Sequence, residues 1–346
     1  MEDLCMESIW KQYLKQQNWP EKAIAAYKFT LAQSTRQTYD KAIKKCDKFC
    51  QKKNIDFPPS QSADLAEYMC EIASETNRPK SALCINVSAL SNVYYHTHMK
   101  NMTKEEPISK LLTALIKSGT SNPMTKSTVL PITDITNMFK KWGENKTLSI
   151  KLLRLKAITL LALSLMLRPS DIAPKGVLFD QMSQTEEKFI FSRDMIQFVP
   201  SGMYVTFLGI KNDYDRAGFK VFLPSMSDKI IDPVTTLSDY MTITDKLRTD
   251  NAVFVALKKP YKAISAASVA NVLEESLAFA GLANKGFSAK SFRPTGATKA
   301  IENGVAPDVV QKLGRWKCTE VFKNHYVHSM TPADYATKLL QSQEQS

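Results

Sequence analysis

The chain has 346 residues, 44% of them hydrophobic, and a formal net charge of +12. That length suits about two domains, and a pI of about 9.2 favours a polyanionic partner, nucleic acid first, over a basic one. The most apolar stretch, Ala157 to Leu167, is too short for a membrane span, and no cationic amphipathic segment with exposed Trp or Phe marks a membrane surface.

The opening MEDLCMESIWKQYLKQQNWPE is polar and acidic, without a secretory pattern, and residues 1–25 are read as an N-terminal extension. From Thr35 to Lys53, Tyr39, Ala42, Ile43, Cys46, Phe49 and Cys50 recur at helical spacing with lysines opposite them. Ser34 is the expected cap. Phe57-Pro58-Pro59 breaks the chain, and SADLAEYMCEIASE opens a second helix behind another Ser cap. Further helical stretches follow at Lys80 to His98 and Thr103 to Lys117, so residues 26–118 read as a four-helix unit.

Small, polar and breaker residues in SGTSNPMTKSTVLP mark a linker over 119–130. Pro131 opens a helix, ITDITNMFKKW, and a longer one spans about Ser149 to Leu167. Strand patterns come only later. KFIFS, MYVTFLGI and FKVFLP are β-branched and aromatic, and the last two flank the turn-forming KNDYDRAG, which predicts a hairpin. Helices return from Ser265. The expected fold is mainly α with a small antiparallel β-sheet.

The six cysteines, Cys5, Cys46, Cys50, Cys70, Cys84 and Cys318, form no Cys-x-x-Cys pair and read as reduced thiols of an intracellular protein. Cys46 and Cys50 share a helix face, but a third metal ligand is missing beside them. His325 and His328, three apart, also lack an acidic or cysteine partner.

Six residues stand out as carriers of chemistry. Arg168, in LALSLMLRPSDIAPK, closes an apolar helix, where a cation complements the helix dipole. Pro169 would stop that helix and fix the guanidinium, with Asp171 near enough to orient it. Lys211 ends a hairpin strand. There a lysine is ordinarily solvated edge decoration, yet it could also deliver a proton to a leaving oxygen. Lys290 and Arg293, three apart, would share a helix face. A helix start at about Pro294 would add amide donors for a phosphate. Trp316 and Tyr326 are each ordinary core candidates, and Val321, Phe322 and Tyr326 would lie on one side of their helix.

In their order, Arg168, Lys211, Lys290-x-x-Arg293, Trp316 and Tyr326 make the chain resemble the tyrosine recombinases, the phage-integrase-type site-specific recombinases. STRQTYDKAIKKCDKFC is similar to the first helix of their core-binding domain, LRPSDIA to the first arginine motif, GIKND to the hairpin lysine, and LGRWKCTEVFKNHY to the final box. The Gly-Arg-Trp followed by Tyr resembles recombinases of DIRS-type and Crypton-type mobile elements. Two features depart from the common pattern: lysine stands at 290 in place of histidine, and the Trp316-to-Tyr326 interval is one residue longer.

The resemblance implies a helical, SAM-like core-binding domain over 26–118, an α+β catalytic domain over 131–328 and a tail helix over 329–346. Tyr326 would attack a DNA phosphate, leaving a 3′-phosphotyrosyl bond. Arg168, Arg293 and Trp316 would hold the non-bridging oxygens, Lys211 would protonate the departing 5′-oxygen, and Lys290 would complete the cluster. Arg36, Lys44, Lys45 and Arg315 are expected DNA contacts.

No cofactor or metal is called for. The implied partners are double-stranded DNA and further copies of the chain, a tetramer on DNA, with no membrane; in a eukaryotic host the protein would be nuclear. The physical logic stands without the name. A phenol of pKa near 10 is only about 0.1% phenolate at neutral pH, and fixed cations both favour the phenolate and stabilise a more negative transition state. A type IB topoisomerase, or a DNA-binding protein whose catalysis has lapsed, remains open as an alternative.

Overall fold

The computed structural model describes residues 4–75, 79–97, 99–118, 129–173, 175–179, 186–189, 191–207 and 218–326, with the side chains of 79, 175–179, 186–189 and 324–326 excepted. Residues 119–128 of the expected 119–130 linker, Lys211 and the chain from 327 on lie outside these. The described residues form two compact units, one from residues up to 118 together with Phe179 and one from the remaining residues from 129 onward.

The first unit is all helical. It comprises α1 (Met6–Gln16), α2 (Glu21–Tyr27), α3 (Gln33–Lys53), α4 (Ser62–Ser74), α5 (Pro79–His96) and α6 (Glu106–Ser118). The apolar stripe of α3 meets α4 to α6 in a core of Cys46, Phe49, Leu65, Tyr68, Met69, Ile72, Leu90, Tyr94 and Ile108. Two phenols cross this core with satisfied hydroxyls: Tyr68 donates to Asn86 Oδ1 at 2.7 Å and Tyr94 to the Pro59 carbonyl at 2.7 Å.

The sequence predicts an extension over residues 1–25, but α1 and α2, which cover most of that stretch, belong to this unit. Met6, Ile9 and Trp10 pack on Ile43 and Val93, and the Trp10 indole donates to Asn92 Oδ1 at 3.0 Å. Neither expected serine cap is used. Helix α3 begins one residue before Ser34 with Ala32 as its cap, and α4 begins at Ser62 with Gln61 as its cap.

The second unit is built around α8 (Ile150–Ser164), which follows α7 (Ile132–Trp142). Ser149 caps α8, its hydroxyl accepting from the Leu152 amide at 3.3 Å. Leu153 and every residue from Leu155 to Ala162 are buried, as befits a helix apolar nearly all round. Short α9 (Pro169–Ile172) precedes two strands, β1 (Lys175–Phe179) and β2 (Glu186–Phe189), which pair with each other. Then β3 (Ile196–Val199), β4 (Gly202–Phe207) and β5 (Phe219–Pro224) form an antiparallel sheet. Val205 sits opposite both Ile196 and Val221. Met203, Val205 and Phe207 alternate along β4 into the core, so the expected hairpin is present.

Helices α10 (Pro233–Ile243), α11 (Ala266–Phe279), α12 (Phe292–Glu302), α13 (Pro307–Leu313) and α14 (Thr319–Tyr326) complete the unit. Helices α10, α11 and α12 all pack on α8. The approach of α12 is close because Gly296 has no side chain: a Cβ there would lie 2.3 Å from the Leu163 carbonyl oxygen. Among the described residues no helix is long and apolar enough to cross a membrane.

A lysine is buried inside this core. Lys156 of α8 is fully inaccessible; its Nζ donates to the Gly143 carbonyl at 3.3 Å and lies 5.9 Å from the Phe139 ring centroid. Burial pushes its pKa down to about 8 from the ordinary 10.5, against the smaller pull of Asp228 and Asp239.

Two outcomes follow. Because the folded pKa of Lys156 is lowered, its burial penalises the native state fully below about pH 8 and fades as pH rises toward 10.5. Lys156→Met should therefore stabilise the second unit at pH 7 by about 1–3 kcal/mol in denaturant unfolding. It should also flatten the rise in stability that the parent protein shows between those pH values. Gly296→Ala sets helix propensity, worth about 1 kcal/mol in favour of alanine, against a clash with a backbone oxygen costing about 1–3 kcal/mol. A net loss is expected, and a gain in stability would show that α12 can retreat from α8 freely.

Candidate active site

The site is organised by the turn that ends α8. Leu167 N–H donates to the Ala162 carbonyl at 3.1 Å, a six-to-one closure of the Schellman type, with Met166 in the left-handed region at φ 50°. The turn frees the Leu165 and Met166 carbonyls from helical bonding and adds them to the negative end of the α8 dipole. Both carbonyls meet guanidinium groups from far along the chain. Arg293 Nη1 donates to the Met166 carbonyl, and Arg315 Nη2 lies 3.4 Å from that of Leu165.

Arg168 follows two residues after this turn. The sequence places it in the last turn of the long helix; the structure instead makes it the N-cap of α9, with Pro169 as the first helical residue. The Asp171 carboxylate accepts the Arg168 backbone N–H at 2.9 Å and stands 4.0 Å from its Nη1. Asp171 is 5% exposed while the Arg168 side chain is 41% exposed, so backbone and carboxylate are fixed beneath a guanidinium that reaches solvent.

Arg293 lies in the first turn of α12 and is buried. Its Nη2 donates to the Gly314 carbonyl, and the Trp316 ring covers it with 4.2 Å from ring centroid to guanidinium carbon. Gly314 makes the stack possible: a Cβ at that position would overlap the Trp316 ring at 1.6 Å. Trp316 belongs to a small core with Met166, Ala297, Val310 and Phe322, its ring centroid 4.9 Å from that of Phe322. Phe322 anchors α14, and Tyr326 is the last residue of that helix, one turn further on. The Tyr326 side chain lies outside those described. Val321, expected beside Phe322 on the packed side, is instead 46% exposed.

Lys290 does not share a helix with Arg293. It precedes Ser291, the residue before α12, in an exposed turn where its N–H faces Ser288 Oγ at 3.3 Å. The helix begins two residues ahead of Pro294 because Ser291 closes the turn: its hydroxyl accepts from Ser288 N–H at 3.1 Å, and its carbonyl accepts from the Thr295 amide at 3.1 Å. Lys211 falls within the hairpin connection outside the described residues.

Of the other predicted contacts, Arg36 faces Glu7 at 3.8 Å and Lys45 donates to Glu75 at 2.5 Å, while Lys44 is exposed on α3. Arg315, predicted as a substrate contact, is 7% exposed and stands behind Asp171 at 3.7 Å. Burial lowers its pKa, with Asp171 pulling upward and Arg168 pushing further down. The geometry thus gathers Arg168, Arg293, Arg315, Trp316 and the helix bearing Tyr326 around one turn. Missed from the sequence were the Leu165 and Met166 carbonyls and the Phe207 ring, 4.5 Å from the Arg315 guanidinium. The long apolar run hides the end of α8 because its last three residues are as apolar as those inside it.

No family model and no curated protein matches the sequence. Solved structures do. The chain is similar to the Tn1549 transposon integrase (residues 82–397) in complex with transposon right end DNA, at 12% identity and a TM-score of 0.57 over 98% of this chain and 99% of that one. It is similar to the XerH site-specific recombinase bound to palindromic difH substrate in a post-cleavage complex, at 13% identity and a TM-score of 0.57 over 87% and 78%. It is likewise similar to a lambda integrase (75–356) dimer bound to a COC′ core site, at 12% identity and a TM-score of 0.53 over 91% and 96%. The shared architecture, mainly helical with a small three-stranded antiparallel sheet, is the tyrosine recombinase fold.

Proposed function

We propose that the protein is a site-specific DNA recombinase, or integrase, that cuts and rejoins duplex DNA through a transient 3′-phosphotyrosyl bond to Tyr326. The observation that carries this reading is the assembly of Arg168, Arg293, Trp316 and the Tyr326 helix at the end of α8, residues up to 158 positions apart in the chain. The fold of DNA-bound integrases and recombinases supports it, as does the charge of +12.

In this mechanism Tyr326 releases its phenolic proton to solvent, the phenolate oxygen attacks phosphorus, the bond to the 5′-oxygen breaks, and Lys211 gives that oxygen a proton. Arg168, with its fork in solvent and its backbone fixed, is the donor placed to meet the non-bridging oxygens. Arg293 has its two Nη groups on carbonyls, so it contributes fixed positive charge behind the phosphate in this arrangement, with Trp316 excluding water from one face. Lys290, exposed at the mouth of α12, adds a mobile ammonium. The covalent bond retains the phosphodiester linkage energy, so a new 5′-hydroxyl can reverse the attack without a nucleotide cofactor. Strand exchange on paired sites calls for several copies on DNA, a tetramer in the simplest case.

The test uses nicked suicide duplexes drawn from the DNA flanking the coding sequence. The parent protein should form a covalent adduct mapping to Tyr326. Tyr326→Phe should form none while binding DNA within about twofold, since a phenol hydroxyl contributes little to a polyelectrolyte interface. Arg168→Ala should slow adduct formation by about 10²–10³-fold. Relaxation of supercoiled DNA without site preference would favour the topoisomerase reading, and parent-like behaviour of Tyr326→Phe in every assay would end the enzymatic one. Affinity should also fall by on the order of 10³ between 50 and 200 mM salt if six or more phosphates are contacted. A flat salt dependence would refute the electrostatic part.

A further inference from the structure

We propose that Arg315 is a positioning residue: from inside the protein it neutralises Asp171, and through Asp171 it fixes the Arg168 backbone while leaving the Arg168 guanidinium directed outward. Its catalytic consequence rests on the function proposed above; its structural basis does not. Three groups address one carboxylate oxygen. Asp171 Oδ2 takes the Arg168 N–H at 2.9 Å, lies 3.7 Å from Arg315 Nη2, and lies 4.0 Å from Arg168 Nη1.

A carboxylate that is 5% exposed needs a counter-charge. Were Arg168 the only cation available, its fork would be drawn down onto Asp171 and lost to any external anion. Arg315 supplies that charge from the buried side. Its backbone is in the left-handed region at φ 62°, which turns the chain between Gly314 and Trp316. Its guanidinium is wedged between Asp171, the Leu165 carbonyl at 3.4 Å and the Phe207 ring at 4.5 Å.

The arrangement also explains why this position carries arginine and not lysine. A planar guanidinium can stack on Phe207 while one edge faces the carbonyl and the carboxylate, whereas an ammonium has no face to stack. Phe207 is the last residue of β4, four positions before Lys211. Arg315 therefore ties the Arg168 turn to the strand that leads to the expected general acid.

The experiment compares Arg315→Lys, Arg315→Gln, Asp171→Asn and the Arg315→Gln/Asp171→Asn double variant of the full chain, on the nicked suicide duplex. Arg315→Gln should slow adduct formation at saturating DNA by about 10–100-fold, the scale of a small misplacement of a catalytic group, with DNA affinity within about threefold of the parent. Loss of the Arg315 charge also makes protonation of Asp171 easier, so the acid limb of the rate profile should move to higher pH in Arg315→Gln. Arg315→Lys should recover part of the rate and the acid limb. The double variant should be no slower than the worse single, because both act along one path.

An Arg315→Gln variant that loses affinity in proportion, with normal chemistry at saturation, would make Arg315 a direct DNA contact and overturn the proposal. So would strictly multiplicative losses in the double variant. If the parent forms no adduct, the functional reading fails by itself, and the positioning claim is then read from denaturant unfolding. Arg315→Gln should destabilise the second unit, and adding Asp171→Asn should restore part of the loss; additive losses would overturn it.

Discussion

The closing turn of α8 is the constraint on which the site depends. A helix that simply continued to Leu167 would keep its last carbonyls pointing along its own axis. The left-handed Met166 instead turns the Leu165 and Met166 carbonyls toward α12 and the segment after α13, and sends the chain into α9 with Arg168 at its cap. Three guanidinium groups then collect around one helix end. They repel one another, and that repulsion is held by the Leu165, Met166 and Gly314 carbonyls, the buried Asp171 carboxylate, the helix dipole and two aromatic faces, Trp316 on Arg293 and Phe207 on Arg315. In the proposed reaction a cation cluster whose geometry is already set would receive the phosphate without reorganising.

Each support has a different origin in the chain. Gly296 lets α12 approach α8 closely enough for Arg293 to reach the Met166 carbonyl. Gly314 leaves space for the Trp316 ring, which in turn seats Phe322 and the helix ending at Tyr326. Small residues thus act here by admitting neighbours. The buried Lys156 is a contrasting case. It is a cation with one weak carbonyl partner deep in α8, and burial moves its pKa rather than building a site around it.

Exposure separates roles that residue type alone leaves merged. Arg168, Arg293 and Arg315 are chemically identical, yet one is two-fifths exposed and the other two are buried. In the proposed reaction only the first would present a bidentate fork to solvent, while the second would offer charge and the third orientation. Arg36 and Lys45 in the first unit are likewise engaged by Glu7 and Glu75, pairs near the surface that a phosphate could displace at small cost.

The sequence by itself determined helices α3 to α6 of the first unit and the hairpin of β4 and β5, and it singled out Arg168, Arg293 and Trp316, which the structure brings to one helix end. Each of these rests on a local period or on residue type, which the chain carries one position after another. It missed α10, although Asp232 and Pro233 form a legible cap and first residue, and it missed β3, a four-residue strand too short for alternation to register. Only the tertiary structure decided the rest. Ser34 is not a cap, Lys290 lies outside the helix of Arg293, and Arg315 faces Asp171 and not solvent. The physical reason is that an element's ends are set by groups outside its own period. Ala32 caps α3 ahead of Ser34, Ser288 and Ser291 close a local turn ahead of α12, and the last α8 carbonyls are compensated by Arg293 and Arg315, about 130 to 150 residues away along the chain.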